Sequence, residues 1–300
     1  MVRSSITETV KTGRILSSDG AWGTLLQAAG LGPAECPELW NLDRPEAVRR
    51  VAEQYLAAGA EMVKTNSFGG SPFKLARYDL QDRSDEINRR AAALSREAAG
   101  DDHWVLGSVG PTGKMLVMGD VTEEELYAAF REQVVALEQG GADAVCVETM
   151  SDIDEARLAV QAAKENTRLE IIATFTFDRT VGGDYRTMMG VTPEDAAAAM
   201  LEAGADVVGT NCGNGLERMI EIVGRIRTAL PETPILVHAN AGMPVLEEGV
   251  SRYPDTPQFM ASLVSALVDA GANVIGGCCG TTADHIQAIR SAIDELRAGR

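Results

Sequence analysis

One short pattern occurs four times in this chain: YLAAGAEMVKTN (55–66), LEQGGADAVCVET (137–149), LEAGADVVGTNC (201–212) and LVDAGANVIGGCC (267–279). Each copy is the end of an apolar helix, then Gly-Ala, then an acidic residue or Asn, then a short β-branched run. Glycine takes the left-handed conformation that stops a helix at little cost. The run after it has strand character. A helix stop leading at once into a buried strand, several times over, points to parallel strands joined by helices.

Further strand candidates lie between these copies: RILSSDG (14–20), HWVLGSVG (103–110), LEIIATFTF (169–177) and TPILVHANAG (233–242). The segments separating the strands read as helices, among them TEEELYAAFREQVVALEQG and GLERMIEIVGRIRTAL, and several open on good start signals such as Thr122 or Thr192-Pro193. Eight strands alternating with eight helices predict an α/β fold, a (β/α)8 TIM barrel forming a single domain over residues 1–300. A doubly wound open sheet is the alternative. The barrel is favoured because no element is left over and no linker or low-complexity segment divides the chain.

A net charge of −17 argues against an electrostatic grip on nucleic acid or an anionic membrane. No run approaches the roughly 18 apolar residues of a membrane span, and MVRSSITETVKTGR has no apolar export core. A cytoplasmic protein is expected. In a reducing compartment an odd count of five cysteines, spread along the chain except for one adjacent pair, is poor material for a disulfide framework, and thiols at polar, glycine-rich turns read as metal ligands or nucleophiles.

Active sites of such barrels lie at the C-terminal ends of the strands. The residues just past each strand form a distinctive set: Asp19 in DGAWGT, Asn66 in KTNSFGG, then GSVGPTGK, Glu148 in CVETMSD, TFTF, Cys212 in GTNCGNG, Asn240 in HANAGMP, and Cys278 with Cys279 in GGCCGTT. Strands six and eight flank strand seven, so Cys212 can meet Cys278 and Cys279 across 66 positions. Adjacent residues of a straight strand point to opposite faces. Both thiols of the pair reach one point only where the strand breaks, which the surrounding glycines permit. Three thiolates at one point call for a soft cation that favours tetrahedral ligands, with zinc the best candidate. A three-ligand site keeps a position open, suited to holding a substrate thiol as thiolate.

DGAWGT, TNSFGG, GPTGK, ETMSD, GTNCG, NAGMP and GGCCGTT, in this order over almost the whole chain, resemble the homocysteine S-methyltransferase family. Within it the likeness is nearest to the homocysteine-binding module of cobalamin-dependent methionine synthases. The resemblance implies one zinc ion held by Cys212, Cys278 and Cys279, with the sulfur of L-homocysteine as fourth ligand and methionine as product. It further implies Asp19 and Glu148 as partners of the substrate ammonium, the backbone at Gly20 and Ala21 as a carboxylate cradle, and Asn240 as a displaceable metal ligand. The chain ends about where that module ends, so a methylcobalamin donor is expected on a separate corrinoid protein. A small donor such as S-methylmethionine or betaine, or a different acceptor thiol, is the alternative. A zinc- or redox-responsive binding module is the alternative outside enzymes. Trp22 and His238 depart from the family pattern and are expected to alter the donor side of the pocket.

Other residues have plainer readings. Cys146 is expected in the core and Cys36 as a loop thiol, while His285 is expected to face solvent. GSVGPTGKM is not a phosphate loop, because Ser108 stands where that pattern needs Gly and Met115 where it needs a hydroxyl.

Overall fold

A computed structural model describes residues 4–247 and 250–299. The eight barrel strands are β1 (Leu16–Ser17), β2 (Met62–Lys64), β3 (Trp104–Val109), β4 (Ala144–Met150), β5 (Glu170–Phe175), β6 (Val207–Asn211), β7 (Ile235–Ala239) and β8 (Val274–Gly277). All pair in parallel, in the order β1-β8-β7-β6-β5-β4-β3-β2. A bridge between Ser18 and Met62 brings β1 against β2 and closes the ring. The (β/α)8 expectation holds, and the open-sheet alternative falls with that closure.

The fourfold sequence pattern has a structural reason at each of its positions. Gly59, Gly141, Gly204 and Gly271 all have φ between 95° and 115°. The alanine after each donates its N–H back into the helix, to Tyr55, Leu137, Met200 and Leu267 respectively, which is the Schellman closure of a helix end. The next residue, which is polar, then accepts an amide from the neighbouring odd-numbered strand. Glu61 takes Ser17 N–H at 3.0 Å, Asp143 takes Val105 at 2.7 Å, Asp206 takes Ile171 at 2.8 Å, and Asn273 takes Ile235 at 2.9 Å. Even strands thus cap odd strands around the bottom of the barrel.

Along every strand the inward positions alternate with outward ones. Leu16, Met62, Leu106, Cys146, Ile172, Leu236 and Val274 form one buried cluster inside the barrel, and Cys146 is part of it as expected. Outward residues such as Val63, Val105, Val145, Val208 and Ile275 pack in the larger cluster shared with the helices. Two places further along, toward the C-terminal ends, the inward residue turns polar or small: Ser18, Lys64, Ser108, Glu148, Thr174, Gly209, His238 and Gly276, all buried. The barrel is therefore oily below and polar above, and the site is built on the polar layer.

Some elements were not legible in advance. The N-terminal segment forms a helix, Ile6–Lys11, whose Ile6 and Val10 join the lower interior cluster. The last outer helix but one is broken at Leu263 into Pro257–Ser262 and Val264–Asp269. Two short hairpins, Asp178–Arg179 with Tyr185–Arg186 and Val245–Glu247 with Val250–Arg252, extend the loops after β5 and β7.

Candidate active site

Cys278 comes directly after the last residue of β8, and there the strand breaks. Thr281 N–H donates to Cys278 O at 3.1 Å, making a turn, and Gly280 takes φ 80° where the ring of Tyr253 leaves no room for a side chain. Cys278 N–H still bonds Ala239 O on β7, and Ala241 N–H bonds Cys279 O, so the pair stays tied to the rim of that strand. Cys212, just past β6, is in the left-handed region at φ 58°, and its N–H donates to His238 O. A β-carbon is costly in that region, and the strain is held by the strand bonds on either side.

These turns bring the three sulfur atoms within 4.8 Å of one another. Cys212 Sγ and Cys279 Sγ are 3.8 Å apart. With metal–sulfur bonds of about 2.3 Å, the edge of a regular tetrahedron is about 3.8 Å, so the spacing suits zinc. Asn240 Oδ1, buried on the same rim, has no hydrogen-bond partner among the described residues, which fits a further ligand oxygen. The cluster can hold a metal ion. Bonds from Cys212 and Cys278 pull the Cys279 thiol below the usual thiol range. Cys278, bonded to the other two sulfurs and buried, is held well above the usual thiol range. A divalent cation bound there would release the thiol protons.

The sulfurs form one wall of a cavity of about 360 Å³ whose other walls include Ala21, Trp22, Glu38, Lys64, Ser108, Glu148 and Thr149. Glu148 lies on that wall. Its Oε1 accepts from Ser108 Oγ at 2.5 Å and its Oε2 lies 3.3 Å from Lys64 Nζ. A register shift in β4 just after Val147 turns this end of the strand. Thr149, at φ 62°, is fixed there by Asn211, which accepts Thr149 N–H and donates to Thr149 Oγ1, both at 2.7 Å.

Asp19 lies elsewhere than expected. It is fully buried and is absent from the cavity wall. Its Oδ2 accepts from the Trp22 indole N–H and from Lys64 N–H, each at 2.7 Å. The tryptophan that departs from the family pattern thus takes up the carboxylate and presents its own ring to the cavity. Ala21 is on the wall, but its N–H donates to Thr281 Oγ1 at 3.1 Å, and Gly20 is hemmed in by Thr281 and Tyr55. His238 is buried in the polar layer with neither ring nitrogen bonded. Burial, with the charge of Lys64 added, pushes its pKa down, so the ring is neutral.

Two residues need correction or addition. His285 does not face solvent: it is buried, its Nδ1 capping Thr282 and its Nε2 bonding Asp255 O at 2.9 Å. It stands at the third position of the last helix, where the ring can reach back to the helix start. Lys64, which no motif singles out, is the cation of the site. The signal was one lysine ending an apolar strand, two places after the inward Met62. Burial alone would lower its pKa, but the charges of Glu148 and Asp19 outweigh that and hold the ammonium charged.

Burial raises the Asp19 carboxyl from 3.8 to about 6, more than Lys64 and the hydrogen bonds lower it. Between those values the folded chain binds more protons than the unfolded chain, so stability falls as pH rises from about 4 to 6, by roughly 3 kcal/mol from this group. Asp19→Asn keeps an acceptor for Trp22 and should remove that dependence. Urea unfolding of both proteins across this range measures it. A constant difference between them would mean that Asp19 is ionised throughout.

The family model for homocysteine S-methyltransferase matches residues 16–293. The chain belongs to that family. Among curated relatives of this homocysteine S-methyltransferase family chain are the methionine synthases of Mycobacterium leprae, 32% identical over 304 residues, and Mycobacterium tuberculosis, 31% over 302. Each alignment covers 95% of this chain but 25% of the relative, so the chain spans a quarter of their length. Among solved structures, the metallated homocysteine methyltransferase MmuM from Escherichia coli superimposes with a TM-score of 0.77 at 26% identity, covering 95% of this chain and 98% of that one. The carboxyl transferase domain of Rhizobium etli pyruvate carboxylase covers 99% of this chain and 52% of that one, with a TM-score of 0.55 at 15% identity, a likeness of fold alone.

Proposed function

We propose that this chain is a zinc-dependent methyltransferase that makes methionine from L-homocysteine. The observation that carries the reading is the convergence of Cys212, Cys278 and Cys279 on the wall of an open cavity. A zinc module without catalysis has no use for that access. When bound, zinc supplies a Lewis acid that keeps an acceptor thiol deprotonated at neutral pH. The protein's own residues do the rest. The three cysteines would hold the ion, with Asn240 offering a further ligand oxygen, and Glu148 faces the acceptor's ammonium. Asp19 acts through Trp22 and Lys64, holding both in place. The acceptor sulfur attacks the donor methyl in line: the sulfur–carbon bond forms as the donor–methyl bond breaks, and the thiol proton goes to solvent. Fixing the two reactants in the cavity supplies much of the acceleration. A reducing compartment, where the thiols stay free, is the setting this requires.

For the donor, a methylated corrinoid carried by a protein is the reading best supported. Phe68, Val117, Met118, Val181, Met188 and Leu246 are all exposed, and all lie on loops after the C-terminal ends of β2, β3, β5 and β7. Exposed apolar residues at the same end of the barrel as the cavity suit a protein partner better than a small cation. Methionine formation, assayed side by side with a methylated corrinoid protein, S-methylmethionine and betaine, tests this. Turnover is expected with the first. Zinc-replete protein that makes no methionine with any donor would overturn the acceptor assignment, and turnover with only a small donor would overturn the donor assignment.

A further inference from the structure

We propose that Lys64 holds the carboxylate of the acceptor, as a positioning residue that selects α-amino acid thiols over simple amino thiols. The proposal rests on homocysteine being the acceptor. The charged residues on the cavity wall are Glu38, Lys64 and Glu148, so among the described residues Lys64 is the one cation there. Its ammonium has three donors, and among the described residues the one acceptor for them is Glu148 Oε2, at 3.3 Å. Of the backbone that the family resemblance offers as a carboxylate cradle, the Ala21 N–H is already engaged, by Thr281 Oγ1.

A buried ion pair is poor evidence of stabilisation, because desolvation consumes most of the attraction. Here the pair has a use. Lys64 and Glu148 present one positive and one negative group side by side on the inward faces of β2 and β4. An amino acid carries the same two charges on one carbon. Laid head to tail, its carboxylate meets Lys64 and its ammonium meets Glu148, and each of the two side chains gains a further opposite charge. Both new contacts are charge-assisted hydrogen bonds to side chains that the protein buries. The side chain of the acceptor then runs along the wall toward the cysteines.

The test is equilibrium binding of L-homocysteine and of 3-aminopropanethiol, which keeps the thiol and the amine but lacks the carboxylate, to the zinc-loaded protein. Wild-type protein, Lys64→Met, Lys64→Gln and Lys64→Arg are compared, with melting temperatures to identify folded variants. Wild-type protein should prefer homocysteine roughly 10- to 100-fold. Lys64→Met and Lys64→Gln should lose most of that preference by weakening homocysteine, while 3-aminopropanethiol changes little, and Lys64→Arg should retain part of it. A merely structural counter-charge predicts equal losses for both ligands, and that outcome overturns the proposal. So does wild-type protein that binds the two equally, which needs no variant. Wild-type protein that binds neither overturns the acceptor reading and this assignment with it, whereas the other negative outcomes leave homocysteine standing.

Discussion

Cys279→Ala is expected to lower bound zinc from about one ion per chain to a small fraction and to cut methyl transfer roughly a thousandfold or more, since the ion and its activated thiol go together. Cys212→Gly should lose the metal to the same degree, yet behave differently in the metal-free protein. Residue 212 has φ 58°, where a β-carbon costs about 1 kcal/mol and glycine costs nothing. Metal-free Cys212→Gly should therefore resist urea better than metal-free wild type by about that amount. Metal analysis and unfolding curves on the same samples check both halves. Full zinc occupancy in Cys279→Ala would remove the basis of the proposed chemistry. A metal-free Cys212→Gly less stable than wild type would show that the left-handed turn is not strained.

Gly209→Ala is expected to be among the most damaging single-methyl changes in the barrel. An added β-carbon would run into the carbonyl oxygen of Leu236, and the obstacle is backbone of the paired strand β7, so neither strand can yield alone. A loss of about 3 kcal/mol or more is expected, at the upper end for overpacking. Because Asn211 and Cys212 lie just beyond on the same strand, zinc affinity should fall as well. Gly224→Ala is the control: this glycine lies in the helix Leu216–Ala229 with nothing within 4 Å of an added carbon, and alanine there should stabilise by about 0.5–1 kcal/mol. Urea denaturation gives both values. A near-neutral Gly209→Ala would mean that β6 and β7 can separate more freely than their register suggests.

The convergence of the three cysteines was legible because it depends only on strand order and on where strands end. Cys212 and the Cys278–Cys279 pair sit just past β6 and β8, which both neighbour β7 in the ring. The exposure of Asp19 was not legible in the same way. DGAWGT places a carboxylate at the end of β1, but whether it faces the cavity depends on a competitor for its oxygen, and Trp22 is that competitor. His285 illustrates the same limit. Its position near a helix start suggested solvent, and its burial comes from Asp255 on another segment, whose carbonyl it meets.

What the sequence by itself determined was the barrel and the ring of sites at its C-terminal end. Helix stops, strand lengths and the polar residue after each Gly-Ala act over a few neighbouring residues or across one strand pair, so they are written in local order. Tertiary structure alone decided which charged groups meet inside. Lys64 and Glu148 lie 84 positions apart and two strands away from each other, and no local pattern relates them. In a dry interior each charge is stable only beside its opposite. The pairing is therefore a property of the closed barrel rather than of any stretch of chain.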